Sequence, residues 1–181
     1  SIYLKKSKML EQKLKDVIAG YKDFPKEGIL FRDIMPILQN HQLFKDLIEY
    51  ISKLEIVKEA EAVLAIDARG FIFGAAVALV AGKPLVTARK PGKLPGDLLS
   101  GSYNLEYGEN TLCIQKQSLL NFEKFCIVDD LLATGGTVAC VEKMLSENNK
   151  KITGVAVIIE LLGLNGKDNL TSKVESIVKY W

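Results

Sequence analysis

Hydrophobic residues recur along this chain with two different periods, and the switches between them outline its elements. Near the N-terminus Leu10, Leu14, Val17 and Ile18 fall three and four positions apart. Leu43, Phe44, Leu47, Ile48, Ile51 and Leu54 do the same over a longer stretch, so two amphipathic helices are predicted. From Ala62 onward the pattern changes to short apolar runs rich in β-branched residues: Ala62–Ile66, Leu85–Ala88, 125–128 and 152–159. Runs of this length without polar alternation suit strands covered on both faces, as in a parallel sheet. Residues 71–80 are apolar over a helical length, and after Thr137 the positions Val138, Val141, Met144 and Leu145 return to helical spacing. Strands alternating with helices predict an α/β protein with a mostly parallel sheet flanked by helices.

Two stretches fit neither period. Residues 24–34 contain Pro25 and Gly28 and read as a loop between the two helical stretches. Residues 89–110 contain Pro91, Gly92, Pro95, Gly96, Gly101 and Gly108, too many breakers for a regular element. Connections this long in compact domains are usually functional or disordered.

In open α/β sheets ligands bind beyond the carboxyl ends of the strands, which directs attention to the residues just after each apolar run. After 125–128 come Asp129, Asp130, Leu131, Leu132, Ala133, Thr134, Gly135, Gly136 and Thr137. The turn Thr-Gly-Gly-Thr then falls at a helix N-terminus, where unpaired N–H groups and partial positive charge stabilise a phosphate without any lysine. Gly135 and Gly136 let the backbone close on the anion, and the two threonine hydroxyls can donate to it. Two carboxylates beside a phosphate site repel a second phosphate but accept well from vicinal sugar hydroxyls, a combination that fits ribose 5-phosphate. The plainer alternative is a tight strand-to-helix turn in which Asp129 or Asp130 merely caps the helix. After Ala62–Ile66 the residues Asp67, Ala68, Arg69 and Gly70 form a second helix start with a guanidinium beside it, suited to pyrophosphate. Here the alternative is that Asp67 caps the helix and Arg69 is solvated.

Composition narrows the chemistry further. The 181 residues suffice for one substantial core, and 24 basic against 22 acidic residues give a net charge of +2, too small to imply nucleic-acid binding. The basic start, with Lys5, Lys6 and Lys8, is not followed by an apolar segment, so no secretory signal is expected, and the uncharged stretch 70–82 is too short to span a bilayer. Cys113, Cys126 and Cys140 lack zinc-like spacing and sit in apolar patterns; buried thiols and a reducing, cytoplasmic location are expected. A single histidine, His41, lies just before a predicted helix, which argues against Ser–His–Asp catalysis. No Gly-Lys-Ser/Thr ending marks a P-loop.

Residues 128–137 resemble the phosphoribosyl-pyrophosphate motif of type I phosphoribosyltransferases. The segments 24–34, 67–71, 89–96 and 105–108 are similar, in order, to those of the adenine-specific branch of that family. The resemblance covers most of residues 20–165. It implies a Rossmann-like fold with a small N-terminal hood, organised as one domain: a helical lead and hood over 1–40, then an α/β core over 41–181 with a mobile lid at about 89–110. It also implies transfer of a 5-phosphoribosyl group from phosphoribosyl pyrophosphate to adenine, giving AMP and pyrophosphate.

By the same resemblance Asp129, Asp130, Ala133, Thr134, Gly135, Gly136 and Thr137 hold the phosphoribosyl part. Asp67, Ala68, Arg69 and Gly70, with Arg89, Lys90 and Lys93 of the lid, meet pyrophosphate, and the 67–70 segment commonly contains a non-proline cis peptide. Leu30, Phe31 and Arg32 line the base pocket, Glu106 handles a purine proton during catalysis, and Arg69 assists the leaving group. Glu27 stands where many relatives have proline. Magnesium is expected, held mainly by the substrate with no direct protein ligands, together with a homodimer and neither nucleic acid nor membrane as partner. Another purine phosphoribosyltransferase, or a non-catalytic regulator that senses phosphoribosyl pyrophosphate, are the alternative readings.

Overall fold

The structure is a computed structural model that describes residues 1–105 and 108–181. The chain forms two compact units, Ser1–Tyr50 and Ile51–Trp181.

The first unit opens with helix α1 (Ile2–Val17), capped by the Ser1 hydroxyl, which accepts from the Leu4 N–H at 3.2 Å. Leu10 and Leu14 are its buried positions, as their spacing requires. The stretch 24–34 is not simply a loop: it contains strand β2 (Leu30–Asp33), which pairs antiparallel with β1 (Ala19–Lys22). The sequence conceals this because the strands are short and bury no residue, with no apolar alternation to mark them. The connecting turn carries a cis Phe24–Pro25 bond and is closed by the Asp23 carboxylate, which accepts from the Gly28 N–H at 2.8 Å. Helices α2 (Met35–Leu38) and α3 (His41–Ser52) follow, and His41 is an exposed residue at the start of α3.

In the second unit helix α4 (Glu55–Lys58) leads to strand β3 (Ala62–Ile66), helix α5 (Gly70–Ala81) and strand β4 (Leu85–Ala88). Then come strands β5 (Leu98–Leu105) and β6 (Gly108–Gln115), helix α6 (Lys116–Leu119), strand β7 (Lys124–Leu132), helix α7 (Gly136–Glu147), and strands β8 (Lys151–Leu161) and β9 (Val174–Tyr180). Five of the strands form a parallel sheet in the order β4-β3-β7-β8-β9. Every residue of β3 is buried, and Phe125, Ile127, Val141, Leu145, Val155 and Val157 join the same apolar core, which explains the uninterrupted hydrophobic runs. The three cysteines are free and buried, as their apolar settings predicted.

Three features depart from the sequence reading. Among the described residues, the region 89–110 is irregular only at its start, since β5 (Leu98–Leu105) and β6 (Gly108–Gln115) pair antiparallel. Gly101 does not break β5; a Cβ there would lie 2.7 Å from Met144 Cγ, so the missing side chain is what lets the hairpin pack on α7. Strand β7 does not stop at Val128 but continues to Leu132, its pairing with β8 carried on through Asp129 and Leu131. Strand β9 was not predicted, because Glu175 and Lys179 obscure its apolar pattern.

Candidate active site

The sheet order places the site. From β3 the chain moves outward to β4, then returns on the other side of β3 to lay down β7, β8 and β9. The order therefore reverses between β3 and β7, and adjacent carboxyl ends that lead in different directions leave a crevice. Pairing of β3 with β7 ends at Val128, opposite Ala65. The β3-side edge of β7 is open from that point, and Asp129 and Asp130 occupy it.

A cavity of about 310 Å³ lies at this crevice. It is lined by Asp67, Ala68 and Arg69 after β3, by Lys90, by Tyr103 and Asn110 of the hairpin, and by the continuous stretch 129–138. The two motifs singled out in the sequence thus share one cavity, although they are about sixty positions apart in the chain.

Neither helix start is capped by an aspartate. Helix α7 has Gly135 at its N-cap, in the left-handed region at φ 86°, and no side chain closes its first turn. Helix α5 follows Arg69, again without a side-chain cap. Asp67 instead accepts from Arg89 Nε at 3.3 Å and from the Lys90 N–H at 3.4 Å, while the Arg89 guanidinium stacks 5.4 Å from the centre of the Phe71 ring. Nor is Arg69 a solvated surface residue: its Nε lies 2.8 Å from Asp130 Oδ2. The Asp67–Ala68 peptide is cis.

Gly70 joins the two segments. A Cβ at this position would lie 2.7 Å from Asp129 Oδ1 and 3.4 Å from Asp129 Cα, so only glycine lets the 67–70 turn sit against β7. Asp129 and Asp130 are both buried, and Asp129 Oδ1 accepts from the Asp130 N–H at 2.9 Å. Burial first, and the neighbouring Asp130 carboxylate second, push the Asp129 carboxyl well above the usual carboxylate range; the bond from the Asp130 N–H and the Arg69 charge offset part of this.

Of the residues expected to meet pyrophosphate, Asp67, Ala68, Arg69 and Lys90 line the cavity. Gly70 packs behind it, Arg89 is engaged by Asp67, and Lys93 is an exposed residue of the irregular stretch outside the cavity lining. Leu30, Phe31 and Arg32 lie together on β2 in the first unit, where the Phe31 ring meets that of Phe24 edge-on at 5.1 Å. Glu106 lies outside the described residues. Asn110 was missed by the sequence reading, since only the hairpin register, which pairs it with Tyr103, brings it to the cavity.

The model of the phosphoribosyl transferase domain family matches residues 35–179. An adenine phosphoribosyltransferase of Prochlorococcus marinus (strain MIT 9215) is 57% identical over 172 residues, covering 95% of this chain and 100% of that one. This chain belongs to the adenine phosphoribosyltransferase family. Among solved structures, the adenine phosphoribosyltransferase of Thermoanaerobacter pseudethanolicus superimposes with a TM-score of 0.89 at 38% identity, over 93% of this chain and 99% of that one. The Saccharomyces cerevisiae adenine phosphoribosyltransferase, solved with an imino-altritol bisphosphate and adenine, does so at 0.85 with 32% identity, over 94% of this chain and 99% of that one. Membership agrees with the type I fold expected from the motifs.

Proposed function

We infer that this protein transfers the 5-phosphoribosyl group of phosphoribosyl pyrophosphate to adenine, producing AMP and pyrophosphate. The observation that carries this reading is the pair of buried carboxylates, Asp129 and Asp130, set between an uncapped helix start and the Arg69 guanidinium in one cavity. Backbone N–H groups of 133–137 and the hydroxyls of Thr134 and Thr137 take the 5-phosphate. The carboxylates accept from the ribose hydroxyls and stabilise positive charge as the anomeric carbon loses its bond to pyrophosphate. Arg69 and Lys90 meet the departing anion, with Ala68 and Gly70 allowing close approach of the backbone; Arg89 orients Asp67, and Lys93 joins them as the lid closes. Leu30, Phe31 and Arg32 meet the base. Glu106 takes up the proton that the purine sheds as its N9 bonds to the sugar.

Among the described residues no cluster of three or more His, Cys, Asp or Glu is arranged to hold a metal ion. Asp130 is already committed to Arg69. This donor set fits magnesium carried by substrate oxygens and water rather than by a protein cage. When bound, magnesium supplies charge neutralisation on the pyrophosphate, while the protein contributes positioning and exclusion of water.

The assembly we propose is a homodimer. Helix α5 is apolar almost throughout, and Ile72, Leu79 and Val80 leave it exposed on one side, with Leu79 83% accessible. Such a face fits a second copy of the chain.

Incubating the protein with adenine, magnesium and phosphoribosyl pyrophosphate, and in parallel with hypoxanthine, guanine or xanthine, tests the activity. Pyrophosphate and AMP are expected with adenine alone among the four. Turnover confined to an oxopurine would overturn the adenine reading, and absence of pyrophosphate release with every base would favour a regulator.

A further inference from the structure

The peptide groups between Leu132 and Gly135 belong to no regular element. The β7 ladder ends at Leu132, and the helix takes over at the Gly135 carbonyl, which accepts from the Ala139 N–H at 2.9 Å. The orientation of these intervening peptides decides whether their N–H groups face the cavity. A second segment, far along the chain, holds them.

After β8 the chain enters a 3₁₀ turn, Gly166–Asn169, preceded by Asn165 in the left-handed region at φ 52°. The turn lies backbone against backbone on the cradle. A Cβ on Gly135 would sit 2.5 Å from the Gly166 carbonyl oxygen, and one on Gly166 would overlap the Ala133 carbonyl oxygen. The Asn169 side-chain amide donates to the Thr134 carbonyl at 2.6 Å. Neither Gly166 nor Asn169 is among the cavity-lining residues, so both act from outside it.

The bond to Thr134 has a consequence for the next N–H. The 134–135 peptide is trans, and in a planar trans peptide the C=O and N–H point in opposite directions. Drawing the Thr134 carbonyl toward Asn169 therefore turns the Gly135 N–H the other way. The turn itself is anchored on its far side by Glu142 of α7, a buried carboxylate outside the cavity lining. Glu142 accepts from the Thr171 N–H at 3.3 Å, the Thr171 hydroxyl at 3.3 Å and the Ser172 N–H at 2.9 Å. The Lys167 ammonium adds an ion pair to Glu160 at 3.4 Å.

We propose that the 165–172 segment is a brace that presets the phosphate turn, with Asn169 as its positioning residue for the 5-phosphate of the ligand. This rests on the reading of 133–137 as the phosphate site. Asn169 touches no substrate; it holds the peptide that does.

The test compares the wild-type chain with Asn169→Ala, Asn169→Asp and Asn169→Gln by titration calorimetry, using ribose 5-phosphate, AMP and inorganic pyrophosphate with magnesium. For Asn169→Ala the expected result is about a three- to tenfold weaker affinity for ribose 5-phosphate and AMP, the loss that goes with one hydrogen bond. The KM for phosphoribosyl pyrophosphate rises by a similar factor. Pyrophosphate affinity, the KM for adenine and the melting temperature stay near wild type, and kcat stays within about twofold. Asn169→Asp, which faces the carbonyl with an acceptor, is expected to lose more, and Asn169→Gln, which keeps the amide, to lose less. Wild-type ribose 5-phosphate affinity in Asn169→Ala would overturn the brace. So would an equal loss for all three ligands accompanied by a fall in melting temperature, which would mark a purely structural role. If the wild-type protein itself binds no ribose 5-phosphate, it is the phosphate-site reading that fails, and the brace with it.

Discussion

Asp129 is held in a place that disfavours its charged form. Its raised carboxyl pKa means that the folded protein binds this proton more tightly than the unfolded chain does. The corresponding stability is fully present below the ordinary carboxylate value and is lost as pH rises through the raised folded-state value. Asp129→Asn keeps an oxygen for the Asp130 N–H and removes the buried charge. Its ligand-free form is expected to melt roughly 2–4 °C above wild type near neutral pH, the shift that about 1 kcal/mol produces in a domain of this size. The difference should shrink toward pH 4, and thermal melts across pH 4–8 check it; parallel curves would show that Asp129 does not titrate as described. The same variant should lose affinity for ribose 5-phosphate. At Cys126 burial pushes the thiol up to about 12, with a partly opposing hydrogen bond from Thr153, so this residue stays neutral and unreactive at physiological pH. For Glu106, the Gln variant is expected to lower turnover at least tenfold while changing donor affinity little. An unchanged kcat would remove it from the chemistry.

The cradle's two glycines separate binding from folding at the scale of the strand-turn-helix element. Gly135 sits at positive φ, and a Cβ there would meet the Gly166 carbonyl oxygen, so Gly135→Ala should destabilise the protein by roughly 1–3 kcal/mol. A Cβ at Gly136 meets nothing closer than Tyr103 Cδ2 at 3.6 Å, an ordinary contact. Gly136→Val is therefore expected to keep the fold and abolish donor binding, because the side chain fills the space in front of the helix start. Melting curves paired with ribose 5-phosphate titration distinguish the two effects; retained affinity in Gly136→Val would refute the phosphate site. Legibility in the sequence also varied by element. The buried strands and the long helices were plain because both of their faces, or one regular stripe, are apolar. The β1–β2 and β5–β6 hairpins were not: β1 and β2 bury no residue and carry no such pattern, β6 buries only Leu112, Cys113 and Ile114, and in β5 Gly101 is a packing device that reads as a breaker.

For the whole molecule the exposed apolar face of α5 sets the expectation. Sedimentation analysis should give about twice the mass of the 20.0 kDa chain. Leu79→Glu places a charge on that face and is expected to shift the protein toward monomer; a wild-type monomer at micromolar concentration would refute the dimer. Local chemistry alone carried the cradle motif, the Asp67–Gly70 turn, the parallel α/β class and the burial of the cysteines, because each depends on a handful of neighbours and a short-range period. What the tertiary structure decided is which of these meet. The reversal of strand order between β3 and β7 brings Arg69 to Asp130. The hairpin register carries Asn110 to the cavity, and the turn after β8 sets Asn169 against Thr134. Those pairings join residues dozens of positions apart, and no periodicity in the chain encodes a distance that only the packed sheet creates.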